Sequence, residues 1–236
     1  MKRVLPLAVV LLIAPMALGD DAADARKIVD RAIKEAGKGD KTHAITMSGK
    51  GTFYGFGDGV PYTGEWASQL PEKKRVEIKD AFIFVVDGDK GWTNASGTTM
   101  EMTKEQLDEE KENMYAEWVQ QLVPLKNEGF TLKTVGETKV DDKPAIGVKV
   151  SHQGHRDLTL YFDKDNGLLV RFDQTVKDEQ GKTLSQVLVI KEYVKVGDVK
   201  MPSKMVITRD GKKYVEGEMS DIKLSDRLPD STFAKP

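Results

Sequence analysis

The chain contains no cysteine. Its absence excludes disulfides and thiol nucleophiles, and it closes the lipoprotein route of membrane anchoring, which needs a cysteine at the cleavage site. Histidine is scarce, with three in 236 residues, and no G-x-S-x-G nucleophile motif occurs. Neither charge sign dominates: 36 basic residues face 38 acidic ones, interspersed along the chain. No basic patch suited to nucleic acid forms. Beyond residue 18 no apolar stretch approaches the about 20 residues that a membrane helix needs.

One apolar run does occur, at the very start. Met1-Lys2-Arg3 precedes an apolar stretch from Val4 to Leu18, broken by Pro6 and Pro15. A short basic start, an apolar stretch of this length and the small residues of Ala17-Leu18-Gly19 read as a secretory signal peptide, with cleavage expected after Gly19. An uncleaved N-terminal anchor is the alternative. Export to the periplasm follows, with residues 20–236 as the mature domain. Taking Lys2 and Arg3 from the 36 basic residues leaves 34 against 38 acidic, a net charge of −4. About 217 residues suffice for one sizeable hydrophobic core, which must hold the fold without covalent staples.

Asp24 to Ala36 predicts an amphipathic helix, because Ala25, Ile28, Val29, Ala32, Ile33 and Ala36 fall on one face. Gly37-Lys38-Gly39 stops it. From Thr42 the period changes to two, and strands are expected through Thr93, with a glycine-rich turn at Phe53 to Gly59. Ala81 to Val86 is apolar on both faces, so something must cover each side. Thr103 to Val123 predicts a second helix, opened by a Thr103–Gln106 capping box and ended near Pro124. Phe130 to Leu224 returns to alternation. Turn signals about ten residues apart, without intervening helices, predict antiparallel pairing. The expected architecture is a single α+β domain with one curved antiparallel sheet of about ten strands.

Candidate chemistry is sparse, and nothing calls for a cofactor. His152-Gln153-Gly154-His155 lacks a third ligand beside it and reads as two solvated turn histidines rather than a metal site. Asp163-Lys164-Asp165-Asn166-Gly167 reads as a hairpin turn, since a calcium loop would carry glutamate where Asp173 stands. Glu65, Asp87 and Asp89 evoke a glycosidase pair only by residue type. The feature above background is a set of large apolar residues on strand and helix faces: Trp66, Phe82, Phe84, Trp92, Trp118 and Leu122. They serve either as ordinary core or as the lining of an apolar cavity, with Trp118 and Leu122 of the second helix facing Phe82, Phe84 and Trp66.

Four local marks carry a resemblance. They are Arg75-Val76-Glu77 after the Pro71 turn, Asp87-Gly88-Asp89-Lys90-Gly91-Trp92, the hairpin Leu160 to Arg171, and the terminal Leu228-Pro229-Asp230-Ser231-Thr232-Phe233. Together with the order of elements they make the chain similar to the periplasmic lipoprotein-carrier superfamily typified by LolA and LolB. The resemblance implies an open half-barrel whose helices cover the concave face. It further implies a hollow that holds lipid or lipoprotein acyl chains, with Arg75 as the nearest candidate for a polar residue in that hollow. A non-enzymatic carrier is the function it implies. An envelope protein-interaction module whose hollow is filled by its own helices, or a hydrolase, are the alternatives.

Overall fold

The computed structural model of the protein describes residues 21–39, 44–178 and 180–236. The signal-peptide expectation for residues 1–19 lies outside them. The first helix, α1 (Asp21–Glu35), buries Ala25, Val29, Ala32 and Ile33 as one stripe. It stops where Gly37 takes φ 67°. There the Lys38 amide donates to the Ile33 carbonyl at 3.0 Å and the Gly37 amide to the Lys34 carbonyl at 2.9 Å, the paired bonds of a Schellman end that a glycine makes possible.

Thirteen strands follow instead of about ten: β1 (Ala44–Phe53), β2 (Val60–Gln69), β3 (Lys73–Ile78), β4 (Phe82–Asp87), β5 (Lys90–Ala95), β6 (Thr98–Glu101), β7 (Phe130–Val140), β8 (Lys143–His152), β9 (Leu158–Asp163), β10 (Leu169–Lys177), β11 (Thr183–Val196), β12 (Val199–Arg209) and β13 (Lys212–Ser225). Short strands such as β5 and β6, joined by a two-residue turn, carry too few residues for alternation to separate them in sequence. The second helix, α2 (Lys104–Gln120), lies between β6 and β7. Its capping box is formed as expected: the Gln106 amide donates to Thr103 Oγ1 at 3.3 Å and the Thr103 amide to Gln106 Oε1 at 2.9 Å. A 3-10 turn, Val123–Lys126, closes it off, and a second, Asp230–Phe233, follows β13.

All thirteen strands form one antiparallel, unclosed sheet in the order β6-β5-β4-β3-β2-β1-β13-β12-β11-β10-β9-β8-β7. Nearly every pair is a hairpin. The exception is the pairing of the first strand with the last, β1 with β13, in the middle of the sheet. The two edges, β6 and β7, are therefore consecutive in sequence, and the segment joining them is α2. Topology alone brings this helix across the open side of the half-barrel, as the resemblance implied.

Residues directly opposite each other on paired strands share a face, so the register assigns the two faces. On β7–β11 the inner face carries Leu132, Val148, Val150, Leu158, Leu160, Phe162, Phe172 and Ile190. It is filled by α1 and by Tyr115, Ala116 and Val119 of α2. This half is solid core. The outer face of β2, β4 and β5 carries a smaller core in which Ala67, Val85, Ile83 and Trp92 are covered by Phe233 and Leu228. The two-sided apolar character of β4 thus has its explanation. Ile83 and Val85 lie beneath the C-terminal segment, while Phe82 and Phe84 point the other way.

Candidate functional site

On the remaining strands α2 covers the inner face only at the end near Lys74 and Gly91, and the rest is not filled by a helix. Two rows of side chains define it. Met47, Trp66, Val76 and Phe84 lie in register across β1–β4, and Gly49, Gly64, Ile78 and Phe82 form the next row. Across the β1–β13 seam, Gly49 opposes Met219 and Gly51 opposes Gly217, which in turn opposes Met205. Trp66, Tyr62 and Phe84 are half-buried, and Phe82 is 39% exposed.

Glycine makes this floor. A Cβ on Gly49 would stand 2.8 Å from the Trp66 ring and 2.7 Å from Met219 Sδ. One on Gly64 would meet Trp66 at 3.1 Å, and one on Gly51 would meet the Tyr62 hydroxyl at 2.7 Å. The rings of Trp66 and Tyr62, edge-on to each other at 6.3 Å, therefore lie down on bare backbone where any side chain would lift them. Phe82 and Phe84 stack at 6.4 Å beside them. The result is a half-open aromatic and methionine groove with a shallow floor.

One wall is polar. Lys74 is in register with Ser68 and Val86 on the same inner face. Its ammonium lies 5.6 Å above the Phe84 ring and bonds the Glu117 carboxylate of α2. Burial pulls this ammonium down, but the carboxylates of Glu117 and Glu110 more than offset it, so its pKa stays above the ordinary lysine value. The Glu110 carboxyl is pushed up by burial, with Lys74 opposing and Glu117 and Glu109 adding to the rise. Further pairs hold the helix on both sides: Lys111 to Asp89 at 2.5 Å, Arg156 to Glu109, and His155 Nδ1 to Glu112 Oε2 at 3.0 Å. At its C-terminal end the Lys38 ammonium, lowered by burial to about 8, donates to the Gln121 carbonyl at 3.0 Å.

The sequence-derived site is thus divided. Trp66, Phe82 and Phe84 come together on the inner floor. Trp92 and Arg75 do not join them. Their register with Val85 places both on the outer face, where Trp92 packs in the Phe233 core and Arg75 pairs with Glu77 at 2.9 Å. Trp118 and Leu122 face away from Phe84 as well. Trp118 contacts Tyr115 and Phe130, and Leu122 is buried at the filled half. Leu122 there lines a cavity of about 30 Å³ with Leu169, Ile190 and Tyr193, room for about one water molecule. The helix explains the split. Glu110, Met114 and Glu117 recur at i, i+4 and i+7 and form the stripe toward Lys74, whereas Tyr115 and Trp118 belong to the adjacent stripe; Leu122 lies past the end of the helix, where the chain turns with φ 68°.

Other candidates find ordinary partners. Asp87 and Asp89 pair with Lys73 and Lys111, and Glu65 lies on the outer face opposite Glu77. Asp163 is buried and accepts the amides of Asp165 and Asn166 at 2.9 and 3.0 Å, closing the hairpin turn. The two turn histidines are not simply solvated. His155 stacks on Tyr115 with centroids 3.5 Å apart, and His152 lies 4.6 Å from Phe130. Their stacking partners sit far away in sequence, so the local pattern gives no sign of it. Among the described residues no group of three or more histidine, cysteine or acidic side chains is placed to hold a metal ion. Nor is any described helix long and apolar enough to cross a membrane.

No family model matches the chain, and no curated protein matches it in sequence. Solved structures do match. A LolA superfamily protein from Nitrosomonas europaea aligns with a TM-score of 0.56 at 13% identity, covering 89% of this chain and 97% of that one. A putative outer membrane lipoprotein-sorting protein domain from Vibrio parahaemolyticus aligns at 0.55 and 12% identity, covering 91% and 97%. A DUF1329 family protein from Desulfovibrio piger aligns at 0.56 and 13% identity, covering 89% and 97%. The fold is that of a LolA-like half-barrel.

Proposed function

We propose that this LolA-like half-barrel is an exported, non-enzymatic binding protein of the cell envelope. Its inner groove takes an apolar chain from a lipid or an acylated protein. The observation that carries this reading is the glycine-floored row of Tyr62, Trp66, Phe84 and Phe82. A contiguous set of large rings left half-open, when the other half of the same inner face buries Phe162 and Phe172 beneath α1 and α2, marks a surface kept for a ligand. The groove is shallow and one wall is charged, so affinity for a single acyl chain is modest. Export rests on the basic, apolar and small-residue pattern of residues 1–19, and N-terminal sequencing of the envelope form is expected to begin at Asp20.

The test is titration with a fluorescent fatty acid, comparing the native protein with Phe84→Asp, both verified as folded by circular dichroism. Native binding in the tens of micromolar, weakened by about tenfold or more in the variant, is the expected result. No binding by the native protein removes the reading, and equal binding by both moves the site elsewhere. A second reading, an envelope protein-interaction module, is favoured by the β7–β11 half, whose hollow is filled by α1 and α2. Mass spectrometry of an organic extract from natively purified protein separates the two: stoichiometric lipid supports the first, a clean extract the second.

A further inference from the structure

The aromatic floor continues past one end of the groove onto the rim of the sheet. Strands β1 and β3 run toward this end and β2 and β4 leave it, and because β2–β3 pairing stops at Gly64 and Ile78 while β1–β2 pairing runs on to Phe53 and Val60, the turn at 54–59 projects beyond the turn at 79–81. Phe56, between Gly55 and Gly57 in the first turn, is 84% exposed, more than any other large apolar side chain described. Val60, 46% exposed, opposes Phe53 at the base of this turn, and Phe82, 39% exposed, lies further down toward the groove, level with Gly64. At the opposite end of β3–β5, Lys74 is sealed by Glu117 and Gly91 lies under Met102 and Leu107. The groove therefore opens toward Phe56.

The tip has a defined build. Phe53, the last residue of β1, stands edge-on to Phe56 at 5.1 Å and to Tyr214 at 5.0 Å. This base props Phe56 outward and offers it no cover. Arg209 lies 3.7 Å over the Tyr214 ring and Lys213 5.3 Å over Tyr54. Rings with a polar or cationic edge around one bare phenyl form the composition that partitions to a lipid–water interface. The local charges balance: Arg209, Lys212 and Lys213 face Asp58, Asp210 and Glu216. Two of these carboxylates are occupied, Asp210 by the Ser185 amide at 2.9 Å and Glu216 by Tyr54 and Lys213 at 2.8 and 2.6 Å. A neutral patch of this kind suits zwitterionic headgroups and gives a polyanion no purchase.

We propose that the β1–β2 tip docks on the surface of a lipid bilayer, with Phe56 entering the interface and the groove mouth turned toward the membrane. The docking stands on the tip alone. Only the meaning of the orientation rests on the groove being a lipid site. The test uses protein recovered from the envelope and vesicles of phosphatidylethanolamine with a minority of phosphatidylglycerol. In Phe56→Trp, the emission from position 56, taken as the difference from Phe56→Ser, is expected to shift to the blue and to be quenched by brominated acyl chains. Phe56→Ser is expected to partition to vesicles about tenfold more weakly and to take up fluorescent fatty acid in vesicle-free solution unchanged. That last measurement reports the groove alone, so failure of the groove reading is distinguishable from failure of the docking. Equal flotation of the native and Phe56→Ser proteins overturns the proposal, as does an unquenched position 56. A response at position 56 that needs extracted envelope proteins and is absent with vesicles assigns the tip to a protein partner and equally overturns it.

Discussion

The Trp66 indole rests against Gly49, with 2.8 Å between its ring and the place a Cβ would occupy. Gly49 is itself buried on β1, so this contact fixes both the depth of the groove and the position of its largest ring. In Gly49→Ala either Trp66 or Met219 must move, because the methyl group would also fall 2.7 Å from Met219 Sδ. A loss of about 1–3 kcal/mol is expected, with red-shifted Trp66 emission measured against a Trp66→Phe reference. Unchanged emission would show that Gly49 does not set the floor.

The Glu110 carboxyl is held above the ordinary glutamate value of 4.5, first by burial. Between that value and its raised one, the folded protein binds more protons than the unfolded chain, so this group's contribution to stability falls as pH rises. Glu110→Gln removes the charge that burial disfavours. Its melting temperature relative to the native protein is expected to be higher at neutral pH, and the gain should shrink as pH approaches about 4.5. A gain that grows on acidification would reverse the assignment.

Lys74 carries the opposite expectation. Lys74→Met leaves Glu110 and Glu117 facing one another over the groove. Because Glu117 is part-exposed, the expected destabilisation at neutral pH is about 1–3 kcal/mol. The double variant with Glu110→Gln should recover part of it. Additive effects in a double-mutant cycle would mean the two groups do not interact.

Phe233 is 1% exposed and covers Val85 and Trp92 on the outer face. Phe233→Ala should cost about 3–5 kcal/mol by denaturant unfolding, large for a position with three residues after it in the sequence. Fatty-acid binding in the inner groove should be retained wherever the variant is folded, because the sheet separates the two faces. Loss of binding from a folded variant would show the faces to be coupled.

Thr103 and Gln106 close the α2 capping box, so Thr103→Ala should lower stability by about 1 kcal/mol. A change below a few tenths would indicate that the ion pairs to Asp89, His155 and Arg156 hold the helix start without its cap.

What the sequence determined by itself was local and periodic. The stripe of α1, the capping box of α2, the alternation of the long strands and the hairpin turn at Asp163 to Gly167 each follow from residues within one or two turns of each other. The facing of Phe82 and Phe84 against Ile83 and Val85 follows likewise from period two. What tertiary structure decided was which face meets what. Alternation sets Arg75 against Val76 and Trp92 against Gly91 within their own strands, but only the pairing of β3, β4 and β5 puts both on the side of Val85, and only the return of Phe233 shows what covers that side. The apolar positions of α2 looked like a single stripe. The helix instead crosses between two edges of the sheet and meets both halves, so its carboxylates face Lys74 while Trp118 and Leu122 turn to the filled half. The groove floor is the clearest case. Gly49, Gly51, Gly64 and Gly217 read in sequence as unremarkable strand glycines. They become a site because β1 pairs with β13, which lie at opposite ends of the domain, and a contact between residues so far apart leaves no local periodicity to read.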